Sequence, residues 1–143
     1  MSNQVRNSEA GNALSDEALS HAILSCAFKV HTALGPGLLE TVYRTCLAYE
    51  IRKLGFIALE EVYVSVTYDQ MIFDKGFRMD ILVEDRYVLE LKVVERFQEK
   101  HIATILSYLR FAGVKRGLLL NFMEKSLHPK GIKRVVNAKM SAG

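Results

Sequence analysis

Only two cysteines occur in the 143 residues, Cys26 and Cys46, and they form no C-x-x-C pair. Both fall in helical patterns, where they read as buried thiols rather than as a disulfide or a zinc site. No run approaches the roughly 20 apolar residues of a membrane-spanning helix. Residues 1–12 are polar and lack the apolar stretch of a secretory signal. The expectation is a reduced, cytoplasmic protein with no membrane partner. Internal repeats and low-complexity tracts are absent. Gly35-Pro36-Gly37 has neither a preceding strand nor the G-K-[ST] of a phosphate loop, so it reads as a turn between helices. The aromatic residues are scattered rather than displayed on one strand, which leaves no stacking platform for a single strand of nucleic acid.

What is present is ordinary for one globular domain: 50% hydrophobic and 24% charged residues. The net charge of +3 hides an asymmetry. Residues 1–113 carry 12 Lys/Arg against 15 Asp/Glu, and residues 114–143 carry seven against Glu124 alone. A basic end of this kind suits a phosphate backbone, with a solvated tail as the alternative.

Residues 1–14 show no periodicity and are expected to form a disordered tail. Residues 15–137 form a single domain, and 138–143 a C-terminal tail. Ser15 is a candidate N-cap for a helix over 16–34, with Leu19, Ile23, Cys26, Ala27, Val30 and Leu34 at helical spacing. After the Gly-Pro-Gly turn, Leu39, Val42, Tyr43, Cys46, Leu47 and Ile51 mark the buried face of a second helix, with Gly55 just past its end. Glu40 lies in its first turn, where the helix dipole favours an acid. Alternation from Val62 to Tyr68 indicates a half-buried strand, and Met71–Phe73 a short return strand. Strands over 77–83 and 87–94, a helix over 97–112, a buried strand over 117–122 and an edge strand over 132–136 complete the order. The helix between the 87–94 and 117–122 strands makes them parallel neighbours. An α/β domain with a mixed central sheet flanked by helices follows.

Within this frame, Asp80, Glu90 and Lys92 are the only charges that look buried. A hairpin turning at Glu84-Asp85-Arg86 pairs Val83 with Tyr87, Ile81 with Leu89 and Asp80 with Glu90. Opposed residues share a face with Cβ atoms about 5 Å apart, and Lys92, two residues on, joins them. Facing carboxylates are destabilising unless they hold a cation or serve a reaction. Two hard oxygen donors suit Mg2+ or Mn2+, which polarises a phosphodiester and lowers the pKa of a bound water, while a lysine orients water or offsets charge. The alternative is an ion-pair cluster that only holds the sheet together, a poor use of buried charge. His101, Thr104 and Tyr108 form one polar stripe on the following helix.

Gly37-Leu-Leu-Glu40-Thr-Val-Tyr43, His31-Thr-Ala-Leu-Gly-Pro-Gly, Met79-Asp-Ile-Leu-Val-Glu-Asp, Leu89-Glu-Leu-Lys92, Leu106-Ser-Tyr-Leu-Arg110 and Gly117-Leu-Leu-Leu-Asn-Phe, in this order, resemble the GxxExxY family of the PD-(D/E)XK nuclease superfamily. The resemblance runs from about Ala18 to Val136. It implies a restriction-endonuclease-like αβββαβ core and a Mg2+- or Mn2+-dependent nuclease, with DNA favoured over RNA. Asp80, Glu90 and the Leu91 carbonyl would be metal ligands, Lys92 the catalytic lysine, and Glu40 an acid that completes the site. His101 and Tyr108 are candidates for phosphate contacts, and Lys130, Lys133 and Arg134 for nucleic-acid binding. Where the family has His-Glu-Ala-Gln, this chain has His101-Ile-Ala-Thr104, and the shorter Thr104 puts substrate positioning in question. The alternatives are a weak or inactive nuclease fold that binds nucleic acid or a protein partner, and a phosphoesterase acting on a nucleotide. A homodimer is compatible with cutting two strands, but no interface is legible.

Overall fold

The computed structural model describes residues 6–138; the outer parts of both expected tails, 1–5 and 139–143, lie outside the described residues. The elements run α1 (Glu9–Asn12), α2 (Asp16–Leu34), α3 (Glu40–Lys53), β1 (Ala58–Tyr68), β2 (Met71–Val83), β3 (Tyr87–Lys92), α4 (Glu99–Ala112), β4 (Arg116–Asn121) and β5 (Ile132–Val136). The five strands lie in sequence order. Every neighbouring pair is antiparallel except β3 and β4, which α4 joins as a parallel crossover. The α/β mixed sheet with flanking helices is the expected fold class.

Each helix boundary has a local cause. Ser15 caps α2 by accepting a hydrogen bond from the Ala18 N–H at 3.1 Å, and Gly35, at φ 72°, ends the helix. Gly113 closes α4 at φ 69°, a conformation that favours glycine. One core lies between α2, α3 and the sheet, built on Leu19, Ile23, Tyr43, Leu47, Leu89, Leu91 and Leu118. The second lies under α4, built on Ile105, Leu109, Val88, Leu119 and Met79. Truncating one such buried leucine costs about 2–5 kcal/mol.

Four expectations need correction. Residues 9–12 are helical, so the disordered tail expected over 1–14 does not hold there. Ser8 donates to the Glu84 carboxylate through both N–H and Oγ at 2.7 Å, and Arg86 donates to the Gly11 and Leu14 carbonyls. Met71–Val83 is one strand, not two. Its apparent break at Asp74–Gly76 is a bulge, where three residues stand opposite Ser65 and a Cβ on Gly76 would lie 2.3 Å from Val66. On α3, Leu39 and Val42 are exposed, and the buried stripe is Tyr43, Leu47, Ala48 and Ile51. Finally, Glu84 joins Glu90 as a buried carboxylate, 1% exposed, accepting from Ser8 and from the Ile57 N–H at 2.6 Å, whereas Asp80 and Lys92 are only half-buried. Those bonds hold the hairpin turn, in which Glu84 and Asp85 take left-handed φ values of 53° and 57°.

Glu84→Ala leaves the Ile57 and Ser8 N–H groups without their acceptor. It should lower stability by about 2 kcal/mol or more, read as a fall in urea midpoint. A loss below about 0.5 kcal/mol would show that this docking is incidental.

Candidate active site

The hairpin register is the expected one, with Ile81 opposite Leu89, Leu82 opposite Val88 and Val83 opposite Tyr87, but the ladder stops at Ile81. Beyond it the strands open. Met79 packs under α4 whereas Ile81 and Val83, of the same parity, pack toward α2 and α3, so β2 exchanges faces at Asp80. Glu61, the β1 residue opposite, has φ 53°. The side chains of the opposed pair bridge the gap. The Asp80 N–H donates to Glu90 Oε1 at 3.0 Å, and the Leu91 N–H donates to Asp80 Oδ2 at 2.9 Å. Each carboxylate thus satisfies a backbone donor of the opposite strand and keeps its second oxygen for another partner.

Glu90 is only 5% exposed and Asp80 is half-buried. Among the described residues, no Lys, Arg or His nitrogen lies within 4 Å of either carboxylate. Burial pushes the Glu90 carboxyl up to about 8, the Asp80 charge adds to the rise, and Lys92 opposes it. Burial also raises Asp80, against the Leu91 N–H, Lys92, Arg44 and Arg78. Glu40 is exposed in the first turn of α3, yet partial burial of its carboxyl raises its pKa, while Lys92 and Arg44 lower it and Asp80 raises it. These mutual influences put Glu40, Asp80, Glu90 and Lys92 in one neighbourhood.

Glu40 is aimed by its own loop. Gly37 has φ 93°, and Tyr43, fully buried and stacked on Phe122 at 4.4 Å, donates its hydroxyl to the Gly35 carbonyl and accepts from the Leu38 N–H. Gly37, Glu40 and Tyr43 are therefore a turn, an acid and the pin that holds both. The chain just after Lys92 is held by Asn121, which is fully buried. Asn121 donates to the Val94 carbonyl at 2.7 Å and accepts from the Val94 and Met123 N–H groups at 3.1 Å. It stands beside Lys92 across the parallel pair.

On α4, the Tyr108 ring stacks on Phe77 at 4.4 Å. Burial raises its hydroxyl pKa, helped by the Glu90 and Asp80 charges. His101 Nδ1 accepts from the Gln98 N–H at 2.9 Å and so caps its own helix. Its pKa is lowered by burial and by Lys92 and Lys100. Thr104 is exposed. The basic C-terminal residues do not join this cluster: Lys130 is exposed in the turn before β5, and Lys133 and Arg134 line a groove against α2.

Arg44, Glu61 and Asn121 carry no weight in a reading of the sequence but border the site. Arg44 lies one turn after Glu40 and pairs with Glu61 at 2.5 Å, and its buried Nε, 3.5 Å from Glu60 Oε1, has no hydrogen-bond partner among the described residues. The Glu40-x-x-x-Arg44 spacing is the signal that would have found it. Among the described residues, no three His, Cys, Asp or Glu side chains converge as a complete cage. Two carboxylates with free oxygens and no cationic partner fit a hard divalent ion that retains waters, the manner in which Mg2+ is bound.

Carboxylates paired across a strand opening, a lysine two residues on and a helix-borne acid on an αβββαβ core define a nuclease-type fold. The chain belongs to the PD-(D/E)XK nuclease superfamily, whose family model matches residues 17–135. Neither the curated proteins nor the solved structures gave a match.

A folded-state pKa of about 8 for Glu90 means that the metal-free protein holds a proton which the unfolded chain loses near 4.5. Stability from this group is complete below that lower value and is lost as pH rises through 8. Glu90→Gln should therefore raise the melting temperature in EDTA at alkaline pH, by about 3 °C or more, and the gain should shrink toward pH 5. A variant less stable than wild type at alkaline pH contradicts this placement of Glu90.

Proposed function

We propose that the protein is a Mg2+- or Mn2+-dependent nuclease that hydrolyses phosphodiester bonds, with DNA the favoured polymer. The carrying observation is the Asp80–Glu90 pair, whose carboxylates have no cationic partner within 4 Å among the described residues and each leave one oxygen outside the backbone hydrogen bonds. The superfamily membership supports the reaction class. The Gly37–Glu40–Tyr43 unit supports a place in the GxxExxY group, because each of its residues has a physical task at the site.

Asp80, Glu90 and the Leu91 carbonyl would hold the ion, with Glu40 on its open side. When bound, the ion supplies charge to the scissile phosphate and acidifies a water. Lys92, two residues beyond Glu90, orients the attacking water and offsets negative charge that develops on the phosphate. Tyr108 contacts a phosphate oxygen. His101 keeps α4 in place through its cap and contributes indirectly. The Asn121 clamp keeps the backbone after Lys92 from shifting, which preserves the lysine's reach.

Lys92→Ala should reduce metal-dependent cleavage by about 100-fold or more, with an unchanged circular-dichroism spectrum. Asp80→Asn should do the same and also weaken Mn2+ binding in calorimetry. Full activity in either variant refutes the assignment. Because Glu90 holds a proton at neutral pH, Mn2+ binding should release protons and tighten from about pH 6 to about pH 8. An affinity independent of pH in that interval would remove Glu90 from the ligand set.

Thr104, short and exposed on α4, favours a second reading in which the fold binds nucleic acid but cuts weakly. Salt-sensitive DNA binding that survives Asp80→Asn, with no cleavage by wild type in either metal, would select it.

A further inference from the structure

Two described cavities lie away from the carboxylates. A groove of about 740 Å³ lies between α2 and the β5 edge, and a second of about 440 Å³ shares His21 and Arg134 with it. Arg134 pairs with Leu118, a residue of the core facing α2 and α3, so the groove belongs to that side of the sheet. Glu90 and Lys92 have the parity of Val88, on the α4 side. The groove is therefore a site apart from the candidate active site.

Its two ends differ in chemistry. At one end, Arg134 donates to Ser20 Oγ at 2.6 Å, and among the described residues no carboxylate lies within 4 Å of Arg134 or Lys133. The neighbouring Arg116 differs, being paired with Asp16 at 3.2 Å. A guanidinium without a counter-charge suits phosphate oxygens. At the other end, Phe28 is 39% exposed and stands with Leu24 and Pro129 as an apolar wall, beside the His128 ring. The volume is that of a small-molecule site. Lys133, the neighbouring residue on the strand, pairs with Leu119 of the core under α4, so its side chain takes the other face; the single guanidinium left to the groove matches one phosphate group better than a row of backbone phosphates along a duplex.

We propose that this groove binds a nucleotide, with its phosphate on Arg134 and its base against Phe28. The phosphate has two sources: a free nucleotide or the phosphorylated end of a nucleic-acid strand. The site stands independently of the proposed nuclease reaction.

The test is calorimetric titration of the full chain with adenosine monophosphate. Saturable one-to-one binding is expected. Arg134→Ala should weaken it by about tenfold or more, Phe28→Ala by about threefold, and Lys92→Ala not at all. Arg134→Gln, closer in size to arginine, gives a second reading of the cationic end if Arg134→Ala fails to fold. A 5′-phosphorylated oligonucleotide that competes for the groove, when its unphosphorylated form does not, identifies the strand end as the source. Free nucleotide as the source is shown by failure of both oligonucleotides to compete. No saturable binding at about 1 mM overturns the proposal. So does equal affinity for adenosine or inorganic phosphate alone, or indifference to both the Phe28 and the cationic-end changes.

Discussion

The crossed hydrogen bonds between Asp80 and Glu90 and the backbones of β3 and β2 are the constraint on which the site depends. Where the ladder ends at Ile81–Leu89, two N–H groups would otherwise be orphaned near the middle of the sheet, at a cost of about 1–3 kcal/mol each. The carboxylates that accept them are thereby fixed in direction, and neither needs a lysine or arginine to stay in place. The same bonds commit both strands to leave two negative groups close together. Without a cation that tension is relieved by a proton on Glu90.

The surrounding elements act on this opening from three directions. Tyr43 pins the loop that presents Glu40, Asn121 clamps the chain that follows Lys92, and α4 brings Tyr108 over the same face. Arg44 and Arg78 are engaged by Glu61, so these two positive charges are held beside the site rather than on it. That leaves room for a divalent ion, whose carboxylate ligands must not already be neutralised. The opposite side of the sheet carries Arg134, bonded to Ser20, so this residue of the basic C-terminal segment faces a different surface from the carboxylates.

Much of this was legible in the sequence where the signal is local. The apolar runs on either side of Glu84-Asp85-Arg86 define the hairpin register, and with it the opposition of Asp80 and Glu90. Ser15 and Gly113 mark helix ends through their own chemistry. What was illegible depends on contacts distant in sequence. Glu84 looks like a solvated turn residue until Ser8 and Ile57 are seen to donate to it. The single long β2 was hidden because Asp74-Lys75-Gly76 resembles a turn, and only its pairing with β1 shows a bulge. Leu39 and Val42 fit a helical stripe, but α3 is rotated so that Tyr43, Leu47 and Ala48 face inward. The exchange of faces at Asp80, which frees its N–H for Glu90, has no sequence signature.

The most direct test is a crystal structure of the protein grown with Mn2+, using anomalous scattering to locate the ion. One Mn2+ peak is predicted between Asp80 and Glu90, at about 2.0–2.3 Å from the oxygens that the backbone leaves free. The Leu91 carbonyl should complete the protein's share of the shell, with Lys92 alongside. A Mn2+-saturated crystal with no peak there, or with Lys92 bridging the two carboxylates as an ion pair, would contradict the account.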